Sequence, residues 1–400
     1  MDLRALLSAV VLAATATSAF AAGCQKEATF DAWLDGVRAE AKADGISQRA
    51  IGQALAGVQF DPGIIKKDRA QGVFTQDFLQ FSDRMVAGYR LTDGKAKIAS
   101  LKNTFTRIEQ QFGVPAAVLT AYWGLETDFG SFNGDGDTLT ALATLAYDCR
   151  RPDLFRTQLI AAMKIIDRGD LSAAEMRGPW AGELGQLQFI PERYFSYGVD
   201  FDGDGRVNML TSSADALASA ANYLKSIGWH AGEPWLQEVR VPETLPWEKA
   251  DLTIKLPLSQ WSAWGVTQPS GKPLATDGPD ASLLLPMGRT GPAFLAYPNF
   301  DVYLIWNNSL VYSTTAAYFA TRLAGAGPVG RGSNADLLSV PEVREVQQRL
   351  AGLGYDVGKF DGIIGGSTRA AVKDMQLKYG LPADSYPSKE LLAKLRGAGG

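Results

Sequence analysis

Three observations on this chain of 400 residues predict a mainly α protein with a small β element (α+β). Helical patterns dominate residues 28–112, 153–168, 212–228 and 309–324. Residues 236–302 differ, with short apolar runs such as LTIKLPL and ASLLLPM between Pro and Gly residues, which predicts a small strand-rich insert. Beyond a Gly-rich stretch, the C-terminal residues form a compact unit with three short helical patterns. A chain this long exceeds one ordinary core, so more than one domain is expected.

Taken in order, MDLRALLSAVVLAATATSAFAAGC reads as an export signal over residues 1–22. Arg4 gives the positive start, Leu6 to Ala14 the apolar run, and Ser18-Ala19-Phe20-Ala21 the small-residue cleavage region. No later segment has eighteen consecutive apolar residues, so the mature chain carries no transmembrane segment and belongs outside the cytoplasm. The two cysteines, Cys24 and Cys149, suggest one disulfide tying the N-terminus to the body. The competing reading takes AAGC as a lipid-acceptor site, which would leave Cys149 alone.

FDAWLDGVRAEAKADG, ISQRAIGQALAG and the stretch from Asp93 to Gln111 predict the first helices. In GVPAAVLTAYWGLETDFG, residues 113–130, Pro115 suits the first turn and Gly130 the stop. Glu126 then shares a face with Trp123, Tyr122 and Leu119. A carboxylate on that apolar side is desolvated, which raises its pKa and suits a general acid. The bland alternative is a Glu paired with an Arg or pointing outward at a helix end.

GAGPVGRGSN opens a linker over 325–338 of the flexible, Gly-rich kind. In the unit over 339–397, Val343, Val346, Leu350 and Leu353 mark one helical face, and Ala370, Val372, Met375 and Leu377 a second. Leu391, Leu392 and Leu395 mark a third. So small a core without a catalytic constellation suits binding.

Composition narrows the chemistry. A net charge of −4, with no basic stripe, argues against nucleic acid as a partner. The single histidine, His230, and two cysteines exclude a zinc site built from several such ligands, and no nucleophile elbow is present. Carboxylate chemistry remains.

Three ordered blocks complete the pattern: GVPAAVLTAYWGLETDFG; WAGELGQLQFIPERYFSYGVDFDGDGRVNML followed by ALASAANYLKSIGW; and NFDVYLIWNNSLVYSTTAAYFATRLA. On these the chain resembles the lytic murein transglycosylase B family, and its C-terminal unit, with LGYDVGKFDGIIGGSTRAAVKDMQ, resembles the common peptidoglycan-binding module. The resemblance implies a lysozyme-like catalytic domain over 24–324, a periplasmic location and peptidoglycan glycan strands as the partner. It names no protein partners. It implies that Glu126 protonates the oxygen between MurNAc and GlcNAc, then takes the C6 hydroxyl proton as a 1,6-anhydro ring closes. No catalytic cofactor is called for. Gln188, Asn307, Tyr223 and Tyr312 match positions lining the sugar cleft, with helix packing the competing account of the two tyrosines. Pro179 departs from the pattern, because family members often carry Ser there.

DFDGDGRVN resembles the start of an EF-hand loop, with Asp200, Asp202 and Asp204 at positions one, three and five. Thr211 stands where the bidentate Glu belongs. The family pattern implies Asp215 as the closing ligand and the Arg206 carbonyl as another, around a structural Ca²⁺; an ion-free Asp-Gly turn is the alternative. Two rival functions are a muramidase using water, with Glu183 or Asp128 as second carboxylate, and a non-catalytic wall-binding scaffold.

Overall fold

The computed structural model describes residues 29–70, 76–335 and 337–397. The export signal and Cys24 lie outside the described residues, and with Cys24 the expected pairing to Cys149.

The body begins with α1 (Phe30–Ala43) and α2 (Gln48–Leu55), whose first turns are capped by the hydroxyls of Thr29 and Ser47. Next come α3 (Pro62–Arg69) and α4 (Phe78–Met85), opened by Asp61 and Asp77. The helical stretch expected from Asp93 to Gln111 is two helices, α5 (Gly88–Ser100) and α6 (Lys102–Phe112), broken at Leu101.

Helix α7 (Ala116–Thr127) is the centre of the domain. Nearly every side chain from Ala117 to Leu125 is buried, so it is enclosed on all sides rather than on one apolar face. Its end comes before Gly130, because Asp128 (φ 52°) and Phe129 (φ 61°) already turn left-handed. Arg90 Nε donates to Asp128 Oδ1 at 2.9 Å, and the Phe129 ring meets Trp123 edge-on at 5.8 Å, which hold the turn. A Cβ at Gly124 would sit 2.9 Å from both Phe129 and Phe319, so only glycine lets these rings close on the helix.

After α7 come β1 (Gly136–Asp137), α8 (Thr138–Tyr147), α9 (Pro152–Arg168), β2 (Arg177–Gly178), α10 (Pro191–Tyr197) and α11 (Ser213–Ser226). The two short strands pair antiparallel, bringing the turn after β2 beside the end of α7. The insert is as expected: β3 (Leu236–Val239), β4 (Ser282–Leu284) and β5 (Ala293–Ala296) form an antiparallel sheet in the order β3-β5-β4, with α12 (Leu258–Ala263) between β3 and β4 in the chain. It has a core of its own around Trp247, Trp261, Leu283 and Leu295. Its expected end at 302 falls inside a helix, α13 (Pro298–Trp306), which packs against α14 (Leu310–Leu323). Pro298 opens α13, but the apolar run that follows carries no 3.6-residue polarity to mark it.

The C-terminal module is α15 (Val340–Gly352), α16 (Gly366–Lys378) and α17 (Lys389–Gly397). Its core uses Val346, Leu350, Val372, Met375 and the three leucines of α17, but Leu353 and Leu377 are 48% and 53% exposed. Ala370 is exposed too, and Ala371 takes the inward place. Leu353 lies just past the end of α15, where the helical period no longer applies.

The stretch expected to be flexible is pinned to the body. Val329 N–H donates to the Tyr318 hydroxyl at 3.2 Å, Gly330 N–H to Glu238 at 2.7 Å, and Arg331 pairs with Asp83 at 3.0 Å. The module docks on the insert through Arg369, which donates to the carbonyls of Leu285 and Pro286 at 3.1 and 2.9 Å, and through Lys373, 2.6 Å from Asp251.

Candidate active site

A cleft of about 400 Å³ is lined by Glu126, Pro179, Trp180, Glu183, Gln188, Arg193, Tyr223, Trp306 and Asn307, among others. Glu126 enters it from the last turn of α7, Gln188 from the turn before α10, Tyr223 from α11, and Trp306 and Asn307 from the end of α13. Four separate stretches of sequence thus meet around one carboxyl.

Glu126 Oε1 accepts two hydrogen bonds, from Trp306 Nε1 at 3.1 Å and from the Tyr312 hydroxyl. The other oxygen is left for a ligand. Burial pushes the Glu126 pKa up; the two donors pull against it by favouring the anion, and the nearby Glu183 adds to the rise. Trp306 is itself locked: its ring lies over Tyr122 at 4.3 Å and meets Phe189 edge-on at 5.6 Å. The sequence reading missed Trp306. Its position directly before Asn307 was the available signal, but an indole in an apolar run reads as core.

The other expected cleft residues fall into distinct places. Gln188 stands at φ 50°, and its Nε2 donates to the carbonyls of Gly185 and Asn133 at 2.9 and 3.4 Å, so its oxygen is the free end. Asn307 Oδ1 accepts from Ser309 N–H at 2.9 Å, which leaves its NH₂ for the cleft. Tyr223 is in the wall, but it packs among Phe189, Tyr197 and Trp306, with Arg193 4.7 Å over its ring. Tyr312 is not in the cleft wall. It stands behind Glu126, facing a larger cavity of about 660 Å³ at the junction with the module.

Asp128 points away from the cleft and is paired with Arg90. Glu183 is in the wall, with its pKa raised by burial. His230 is exposed, 3.7 Å from Glu233 and apart from the cleft.

Asp200, Asp202 and Asp204 place ligand oxygens within 4.8 Å of one another. The Asp200 carboxylate already accepts the amides of Gly203, Asp204 and Gly205, so the loop is wound in advance. Three hard oxygen donors on such a loop fit Ca²⁺. Asp215 does not join the cluster. It is buried beneath, with its oxygens accepting the amides of Phe201, Asp202 and Asn208. Arg206 is on the loop, its N–H bonded to Asp204 at 3.0 Å.

Comparison with known proteins decides the family. A transglycosylase SLT domain matches residues 29–321. The chain belongs to the SLT transglycosylase family. A peptidoglycan binding domain matches residues 339–395. Membrane-bound lytic murein transglycosylase B of Escherichia coli (strain K12) is 29% identical over 237 residues, 59% of this chain; the match spans 64% of that protein's length. SltB3 from Pseudomonas aeruginosa, in complex with NAG-anhNAM-pentapeptide, superposes with a TM-score of 0.85 at 41% identity, covering 92% of this chain and 99% of that one. Escherichia coli Slt35 in complex with calcium gives a TM-score of 0.62 at 25% identity, covering 73% and 92%. The SLT domain accounts for the mainly helical, lysozyme-like body, and among the described residues no helix is long and apolar enough to cross a membrane.

Proposed function

We propose that this chain is a lytic transglycosylase that cleaves the MurNAc-GlcNAc β-1,4 bond of peptidoglycan and leaves a 1,6-anhydroMurNAc end. The observation that carries the reading is Glu126 in a cleft, one oxygen held by two donors and the other free. Protonated, Glu126 gives its proton to the bridging oxygen as the C1–O bond breaks. The acetamido oxygen of the same sugar shares the positive charge that develops at C1. The Glu126 carboxylate then takes the proton of the C6 hydroxyl while O6 closes on C1. The proton that left Glu126 is replaced, and no water is consumed.

Burial and the two donors suit the two halves of this cycle. Desolvation favours the protonated acid, and the donors favour the anion that must wait for the second proton. Gln188 and Asn307 offer one acceptor and one donor group to the sugar. The C-terminal module holds the glycan strand, the export signal directs the chain to the periplasm, and Cys24 pairs with Cys149. A Ca²⁺ ion bound by Asp200, Asp202 and Asp204 braces the loop before α11 and takes no part in the chemistry. The test is digestion of purified peptidoglycan by the mature chain and by Glu126→Gln. Soluble anhydro fragments from the first alone support the assignment; equal release from both removes Glu126 from it.

A further inference from the structure

We propose that Glu183 is a second working group of the cleft: its carboxyl hydrogen-bonds the bound sugar and so positions the scissile bond at Glu126. This rests on the peptidoglycan reading above and extends it to a residue that the reading does not use.

The geometry is specific. Among the described residues lining the cleft, Glu126 and Glu183 are the only acids. Glu183 sits in a turn that cannot drift. Gly182 N–H donates to the Pro179 carbonyl at 3.2 Å, Leu184 and Phe189 exchange backbone hydrogen bonds at 2.7 and 2.9 Å, and Gly178 packs so close to the Glu183 carbonyl that a Cβ there would collide with it. Yet Glu183 Oε2 is enclosed and has no hydrogen-bond partner among the described residues. Buried polar atoms are normally satisfied, and one left unpaired beside a ligand cleft points to a partner that arrives with the ligand.

The surroundings favour the neutral form. Glu126 on α7 repels a second negative charge across the cleft. Arg151, at the start of α9, attracts one; its Nη2 pairs with Asp68 at 2.6 Å, while its Nε–H has no partner among the described residues. Arg193 on α10 lines the same cleft, with its guanidinium over Tyr223. Burial outweighs the pull of the residue's own backbone N–H and of Arg151, and lifts the Glu183 pKa. A neutral carboxyl has an O–H to donate, and a glycan offers hydroxyl, ether and amide oxygens to accept it. Pro179, on the same wall, has neither a hydroxyl nor an N–H to offer the sugar, and Glu183 stands close by with a carboxyl.

The experiment measures kcat, KM and Tm for the wild type, Glu183→Ala and Glu183→Gln on one defined glycan fragment. Loss of one hydrogen bond to substrate predicts a KM about tenfold higher for Glu183→Ala, with kcat within about threefold. Glu183→Gln, which keeps the shape and a donor, should recover most of that loss. Neither variant should melt earlier, since the unpaired oxygen serves the ligand and not the fold. An unchanged KM in Glu183→Ala, a lower Tm as its sole effect, or a kcat about a hundredfold lower in Glu183→Gln would each overturn the proposal. The last would mean that the negative charge itself is needed. Failure of the underlying reading looks different, because the wild type would then yield no anhydro ends.

Discussion

Trp306 and Glu126 meet in one hydrogen bond, the indole Nε1 donating to Oε1 at 3.1 Å, and Tyr312 donates to that same oxygen from behind. Two donors on one oxygen fix the carboxyl plane and leave the other oxygen to move the proton. Hydrogen bonds to a charged group contribute about 1.5–3 kcal/mol each. Tyr312→Phe and Trp306→Phe should therefore each lower kcat by about 10–100-fold. Both donors favour the anion, so either variant should also move the alkaline limb of the pH–rate profile upward. A lower kcat with an unmoved limb would assign the two residues to packing alone.

Glu126 should cost the protein stability when ionised. Its folded pKa is raised by burial, so the neutral form's advantage is full below the ordinary carboxylate range and is lost as pH rises through the folded value. Glu126→Gln should thus melt a few degrees above the wild type in mildly alkaline buffer, with the gap closing on acidification. Melting curves across pH check this. A gap that widened in acid would contradict the sign.

Asp68 is 2% exposed and accepts from Arg150 and Arg151, each at 2.6 Å, which ties α3 to the turn between α8 and α9. Asp68→Asn should cost about 2–3 kcal/mol, from weakened hydrogen bonds to charged donors. Replacing both arginines with Ala leaves a buried carboxylate unpaired and should cost about 3–5 kcal/mol. Urea unfolding of both variants measures the order, and the reverse order would show that the buried charge is not the costly element.

Docking of the module depends on Arg369 and Lys373. The double change Arg369→Ala with Lys373→Ala should loosen it, which small-angle scattering would report as a larger radius of gyration. Limited proteolysis should then cut within 325–338 faster than in the wild type. An unchanged radius would place the docking energy elsewhere.

The acidic loop predicts a Ca²⁺-dependent Tm. At free ion a hundredfold above its Kd, binding stabilises by about 2.7 kcal/mol. Chelator should reverse the shift, and Asp202→Ala should abolish it. A Tm indifferent to Ca²⁺ in the wild type would leave the loop an Asp-Gly turn.

How much the sequence disclosed follows from the kind of signal each feature leaves. Amphipathic helices, the Pro- and Gly-punctuated insert and Glu126 in its apolar surroundings were legible, because periodicity and a misplaced charge are local. Helix α13 was not, since PNFDVYLIW is apolar on every side and reads equally as a strand. Trp306 and the true place of Tyr312 were hidden for a related reason: their partner, Glu126, lies about 180 residues away in the chain, a pairing that only tertiary structure makes. The pinned linker was also invisible, because its hydrogen bonds go to Tyr318, Glu238 and Asp83, and composition alone reports freedom.

The central claim is that Glu126 returns the C6 oxygen, and not water, to C1. Digestion of purified peptidoglycan in heavy-oxygen water, with mass analysis of the released ends, tests it most directly. The account predicts anhydro ends without label from the wild type and no release from Glu126→Gln. Labelled reducing ends would contradict it and make the enzyme a hydrolase.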